Sequence, residues 1–485
     1  MTTTHTPPPT ARATPDGLTR GRASRWSALP VLMAGTFMIG LDFFIVYVAL
    51  PAMQAGLHAT ASALEWVVAG YGLTFATFLI AAGRIGDQIG RRLLFSTGLA
   101  VFALASAACG LAPTSTVLVV ARLLQGLAAA LISPSVLSII SVIYTGADRV
   151  RAISVYGMVL GLSAASGQLA GGLLIQADIA GLGWRSIFLI NVPVGVAALL
   201  LAPRLVPESR AERATRLDLV GMALMTLGLT AVVLPLIEGR QHGWPAWTWL
   251  SLGSAPLLLG AFAAHQVWLD RRGGAPLLDP ALFRMRTFSA ALLTQLAYWC
   301  SQASFFLVLA LYLQQGRGLN ALQSGLVFTI LAAAYLVASF RAPALTVRYG
   351  RAVIAIGALT LATGDVVLLV SVAAVGIGGA IGVLAPGLAL VGAGQGLCIT
   401  PLTTTVLAHA DPRRAGAVSG ALSTMQQVGN ALGVAVTGMI FFGAVGGGYA
   451  HAFALSLVEL AGLLVAVAAL TRLLPRHRQV AREQD

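Results

Sequence analysis

The chain has 485 residues, of which 57% are hydrophobic and only 10% charged. Soluble domains carry roughly 25% charged residues, so a water-soluble enzyme is excluded and membrane spans of about 20 apolar residues are expected. The formal charge of +13 comes entirely from arginine, 30 of them with no lysine, and their positions mark membrane topology rather than a nucleic-acid footprint.

Residues 1–25 are polar and Pro-rich, and the apolar run that follows is too long for a signal h-region, so this segment reads as a disordered cytoplasmic tail. Spans are expected at 27–52, 64–82, 93–112, 116–143, 153–176, 185–206, 217–238, 246–269, 288–313, 321–344, 352–374, 380–407, 416–445 and 450–473. With the N-terminus inside, alternate breaks should be Arg-rich, and 26 of the 30 arginines obey that rule. Only Arg185, Arg240 and Arg317 fall on the opposite side, while Arg122 lies within a span. An internal repeat follows: Ala147-Asp148-Arg149-Val150-Arg151-Ala152 returns as Ala410-Asp411-Pro412-Arg413-Arg414-Ala415, and Gly90-Arg91 as Gly350-Arg351. The expected fold is therefore an all-α membrane protein of fourteen helices. It comprises an N-terminal six-helix bundle (26–206), two inserted helices with cytoplasmic linkers (207–286), a C-terminal six-helix bundle (287–473) and a short cytoplasmic tail (474–485). Two repeated halves facing a midplane site form a transporter architecture.

Gly83-Arg84-Ile85-Gly86-Asp87-Gln88-Ile89-Gly90-Arg91-Arg92 lies between spans 2 and 3. Its glycines allow close helix approach, and Asp87 can accept hydrogen bonds from a neighbouring helix N-terminus; by the repeat, the start of span 13 is the expected partner. This string resembles the signature loop of the major facilitator superfamily, with Gly83, Asp87, Gly90, Arg91 and Arg92 as gating-loop residues. Leu41-Asp42-Phe43-Phe44-Ile45-Val46-Tyr47-Val48-Ala49-Leu50-Pro51 resembles the first-span motif of the fourteen-helix drug/proton antiporters. Arg122-Leu123-Leu124-Gln125-Gly126 and Trp184-Arg185-Ser186-Ile187-Phe188-Leu189-Ile190-Asn191-Val192-Pro193 are similar to their fourth- and sixth-span motifs. Ser166-Gly167-Gln168-Leu169-Ala170-Gly171-Gly172 resembles the antiporter motif of span 5, with Gln168 where the family carries proline. Gly167, Gln168, Gly171 and Gly172 are then packing positions, and a bend at Gln168 is not assured. The resemblance covers residues 27–473. It implies export of amphipathic drugs across the cell membrane, driven by the proton gradient without a bound cofactor.

Ionisable residues inside a bilayer cost a few kcal/mol, about 2.5–3.5 at a helix centre, and so mark function or structure. Asp42 lies roughly 13 Å below the outer boundary and Arg122 roughly 10 Å, at 1.5 Å per residue, so the two can meet. They are the expected proton-coupling pair, against the alternative of a structural ion pair that never titrates. Asp365 and Glu459 are secondary acid candidates on spans equivalent to 3 and 6, where helix–helix contacts explain them equally well. Glu65 and Glu238 lie near span ends and are expected to reach water. Gln125, Gln302, Gln426, Gln427 and Asn430 are the candidate lining of a substrate cavity, with Trp66, Tyr71, Trp299 and Phe305 as further possibilities. Cys109, Cys300 and Cys398 sit in separate apolar segments, so neither disulfides nor a metal site is suggested. No Gly-x-x-x-x-Gly-Lys loop argues for ATP, and no nucleophile–base set argues for catalysis. The expected partners are a small-molecule substrate, protons and the lipid bilayer, with no nucleic acid and no obligate protein partner. A dedicated exporter of one endogenous metabolite is the second reading, and a non-transporting membrane sensor a third.

Overall fold

The computed structural model describes residues 26–210, 217–408 and 415–474; the tails 1–25 and 475–485 and the repeated Arg413-Arg414 lie outside them. The first half holds α1 (Ala28–Leu57), α2 (Ala61–Ile89), α3 (Arg91–Gly110), α4 (Ser115–Ile143), α5 (Gly146–Ala177) and α6 (Gly183–Leu205). Next come α7 (Leu219–Glu238) and α8 (Ala246–Arg271). The second half holds α9 (Arg286–Gly316), α10 (Ala321–Tyr349), α11 (Ala352–Val375), α12 (Ala385–Ala408), α13 (Ala415–Ala444) and α14 (Tyr449–Leu470). Thirteen of these are long and apolar enough to cross a membrane as they stand, and the fourteenth, α5, does so with a 44° bend between Gly146–Ala164 and Ser166–Ala177. The chain is thus a multi-pass membrane protein.

Local chemistry sets the helix ends. The Thr60 and Thr114 hydroxyls accept from the Ala63 and Val117 amides at 3.2 and 3.3 Å, and Asn320 with Gln323 forms a reciprocal capping box, so orphan N–H groups are satisfied. Gly90, at φ 120°, closes α2 in a conformation that side chains rarely adopt. Asp218 caps α7 and accepts from the Gly221 amide at 2.8 Å, His265 Nε2 at 2.8 Å and Gln266 Nε2 at 2.7 Å. Burial pushes the Asp218 carboxyl up, but those donors outweigh it and hold the group below the usual carboxylate range.

The helix pairing repeats with a period of eight helices. α1 packs on α5, α2 on α4, and α3 on α4 and α6; correspondingly, α9 packs on α13, α10 on α12, and α11 on α12 and α14. The two halves meet along two seams, α2 against α13 and α5 against α10. α7 and α8 pack on each other, and α7 also lies on both α2 and α13, covering the first seam. Its Met225 and Leu229 join Leu73 and Ala76 of α2 and Val428 of α13 in one apolar cluster. The inserted pair is tied to α2 at both ends: Trp66 Nε1 donates to Glu238 at 2.8 Å, and Arg84 donates to the Ala275 and Pro276 carbonyls after α8.

The interior is closed at the end where α1 and α9 finish. Gln314 donates to the Val48 carbonyl at 2.8 Å, Gln315 to Gln54 at 2.5 Å, and Tyr449 to Gln315 at 3.0 Å. Below them Phe44 and Phe306 meet at 5.5 Å, and Phe306 stacks on Phe328 at 5.5 Å. At the other end, which carries the signature loop, α5 and α10 present exposed apolar side chains. Side chains built at Gly157 or Gly161 would meet nothing within 4 Å, while Met158 of α5 and Phe340 and Val347 of α10 are exposed.

Candidate functional site

Asp42 lies in the middle of α1, which has apolar neighbours on all sides, so a charge there is stable only if partners arrive from other helices. Three come from two of them. Arg122 Nη1 of α4 donates to Asp42 Oδ2 in a short ion pair. Gln125 Nε2, one turn along α4, donates to Oδ1 at 3.1 Å, and Asn191 Nδ2 of α6 donates to the same oxygen at 2.9 Å. Gln125 also donates to Ser106 Oγ of α3 at 2.7 Å and accepts from Arg122 Nη1 at 2.9 Å and Cys109 Sγ at 3.2 Å. Arg122 Nε donates to the Val67 carbonyl of α2 at 2.9 Å, and its guanidinium lies over the Tyr71 ring at 4.5 Å. Asp42 is 0% exposed and Arg122 1%. One ion pair therefore ties together α1, α2, α3, α4 and α6, all the helices of the first half except α5.

The network corrects one expectation and adds one partner. Gln125 belongs to the carboxylate's immediate surroundings, fully buried, and does not line a cavity. Asn191 is a partner that the sequence did not assign. It stood within the quoted sixth-span motif, yet nothing in the sequence gives the direction in which its amide points. The other amides stay in the second half. Asn430 donates to Gln427 at 3.1 Å on α13 and keeps a buried Oδ1 without a partner. Gln302 of α9 is buried beside Ser301, and Gln426 is half-buried. Glu459 accepts from Thr437 at 2.9 Å, and Asp365 is buried with one oxygen unpartnered; neither joins the Asp42 network. Glu238 is partly exposed, but Glu65 does not reach water: it is 1% exposed.

The antiporter-motif segment of α5 lies on α1 and α10. Side chains at Gly167 and Gly171 would strike Phe44, Ile45 and Val48 of α1, and one at Gly172 would come 2.6 Å from the Ala321 carbonyl of α10. Gln168 Nε2 donates to the Phe44 carbonyl at 2.8 Å, so the residue standing in for proline fastens α5 to α1. The bend is present without proline. Ser163 and Ser166 hydroxyls donate back to the Leu160 and Leu162 carbonyls at 2.8 and 2.7 Å, a pattern that bends helices.

In the signature loop, Asp87 pairs with Arg91 one turn on, at 2.9 Å. Its expected partner at the start of α13 adjoins residues 409–414, outside the described residues. The N-terminus of α3 is capped instead by Glu208, from the segment after α6. It accepts from the Arg92 and Leu93 amides at 3.0 and 3.2 Å, and a side chain at Gly90 would strike it at 2.7 Å. Gly83 is loosely packed, with Pro134 its nearest neighbour at 3.9 Å.

Two pseudo-symmetric six-helix halves, sealed together at one end, with a buried ion pair in one half, define a secondary transporter rather than an enzyme. Residues 32–434 match the model of the Major Facilitator Superfamily, and the chain belongs to that family. It is 38% identical over 437 residues to the probable actinorhodin transporter of Streptomyces coelicolor, covering 89% of this chain and 75% of that protein. It is 36% identical over 409 residues to the multidrug resistance protein Stp of Mycobacterium tuberculosis, covering 84% and 74%. Among solved structures it is similar in fold to the POT family transporter PepTSo, with a TM-score of 0.68 at 14% identity over 94% of this chain and 99% of that one.

Proposed function

We propose that the chain exports small amphipathic organic compounds, antibiotics foremost, across the cell membrane in exchange for protons, with both termini cytoplasmic. The observation that carries this reading is the buried Asp42–Arg122–Gln125–Asn191 network. Arginine stays charged in proteins, so a proton taken up here resides on Asp42. That proton turns a neutral pair into an uncompensated buried cation, a state that costs several kcal/mol. The cost favours any conformation in which water or another group reaches Arg122, and this is how a proton shifts the population between access states.

The names of the relatives above, a probable actinorhodin transporter and a multidrug resistance protein, support antibiotics as the class of cargo. Because one is named for a single compound and the other for multidrug resistance, a dedicated exporter of one metabolite is the second reading. The test of both is uptake into liposomes holding the purified protein, under an imposed pH gradient, with a panel of unrelated amphipathic compounds. Gradient-dependent accumulation of several of them is the expected outcome; accumulation of one alone supports the second reading, and none at all defeats both.

A further inference from the structure

The closed end contains a carboxyl group that the Asp42 network does not use. Glu65 stands one turn into α2, 1% exposed, and neither of its oxygens has a hydrogen-bond partner. It fits against α13, where a side chain at Gly438 would lie 2.7 Å from its Cδ and 3.0 Å from each oxygen. The carboxyl group thus fills the notch that Gly438 leaves. The charged groups that act on it electrostatically are Arg240 and Glu238. Glu238 is engaged by Trp66 at 2.8 Å and lies 3.8 Å from His242. Arg240 lies over Phe442 at 5.4 Å and keeps a buried Nη2 with no acceptor. From α13 the described residue that faces the group is Gly438, which does not titrate. An ionised carboxylate with no donor in such a place would carry an unmet desolvation cost.

We propose that Glu65 is a proton-binding latch of the outer seal. It holds a proton while α2 and α13 are packed together, and ionises once they part and water and Arg240 reach it. Closure then takes up one proton, so acid on the outer side favours the sealed form and alkali the parted form. This proton is bound from and returned to the same side, so it regulates the cycle without being transported. The assignment of that side as external rests on the reading above; the latch itself does not depend on Asp42 being the coupling site.

The experiment uses the full chain in lipid nanodiscs, with spin labels at Ala55→Cys and Gly446→Cys, both exposed at the closed end, and Asp42→Asn to remove the other titration. Between about pH 5 and 8 the ratio of short to long label distances should fall with rising pH, by at most about tenfold per pH unit for one linked proton. Adding Glu65→Gln, which keeps the shape and stays neutral, should leave the short distance dominant and flat. A second variant keeps the acid and fills its notch: Gly438→Ala should lower the short-distance fraction at acid pH. A slope that survives Glu65→Gln, a flat Asp42→Asn profile, or a Gly438→Ala profile matching its parent would each overturn the latch. Failure of gradient-driven uptake is a separate result, which bears on the transport reading alone.

Discussion

Asp42 illustrates how much a single buried charge demands of its surroundings. It takes donors from Arg122, Gln125 and Asn191, and Arg122 is anchored in turn by the Val67 carbonyl and the Tyr71 ring. Asp42→Asn removes the titratable group but keeps the amide size. The expected result is retained substrate binding by fluorescence quenching, with loss of uphill uptake driven by a pH gradient. Undiminished uptake would move the coupling role to another acid, Glu459 or Asp365. Arg122→Ala leaves a buried carboxylate unpaired and should lower stability by about 3–5 kcal/mol, seen as a drop in Tm in detergent, together with loss of transport. The meeting of Asp42 and Arg122 was legible in the sequence, because depth along two antiparallel spans can be counted in residues. Asn191, the inward position of Gln125 and the burial of Glu65 were not. Those depend on rotation about the helix axis, and helices that are apolar all round carry no polar face from which to read it.

α5 shows an element whose sequence departs from its family and which bends nonetheless. Proline bends a helix by removing a donor; here Ser163 and Ser166 give their hydroxyls to carbonyls a turn back, and Gln168 secures the bent part to α1. Gln168→Leu removes the bond to Phe44 while keeping the volume. It should cost about 1–3 kcal/mol through an unsatisfied contact in an apolar setting, read as a lowered Tm and slower transport. An unchanged Tm would show that the glycines alone hold the crossing. Glu208 works similarly at α3, where its carboxylate meets two backbone amides at the positive end of the helix. Glu208→Gln should cost about 0.3–1 kcal/mol, a loss that added salt would also reproduce in the wild type. The spans themselves were legible from hydropathy. Glu208 was not, since a carboxylate in a linker says nothing of which helix end it will reach.

For the whole molecule, the proposed orientation with both termini cytoplasmic puts the closed end outside and the signature loop inside. A cysteine at His58 or at Gly446 should react with an impermeant thiol reagent added to intact cells, and one at Arg210 should not. Labelling at Arg210 from outside would break the fourteen-span topology.

The inserted pair gives the molecule a consequence of its own. A transporter made only of the two repeated halves would present two equivalent slots to the bilayer, one on either flank. Here α7 fills the slot between α2 and α13 and is fastened to α2 at both membrane faces, while the slot between α5 and α10 is bare. The protein therefore has a front and a back within the plane of the membrane. Photoactivatable lipids should attach to α5 and α10 at Met158 and Phe340 and spare Leu73 and Val428, and neighbouring molecules in a crowded membrane would meet two unlike sides.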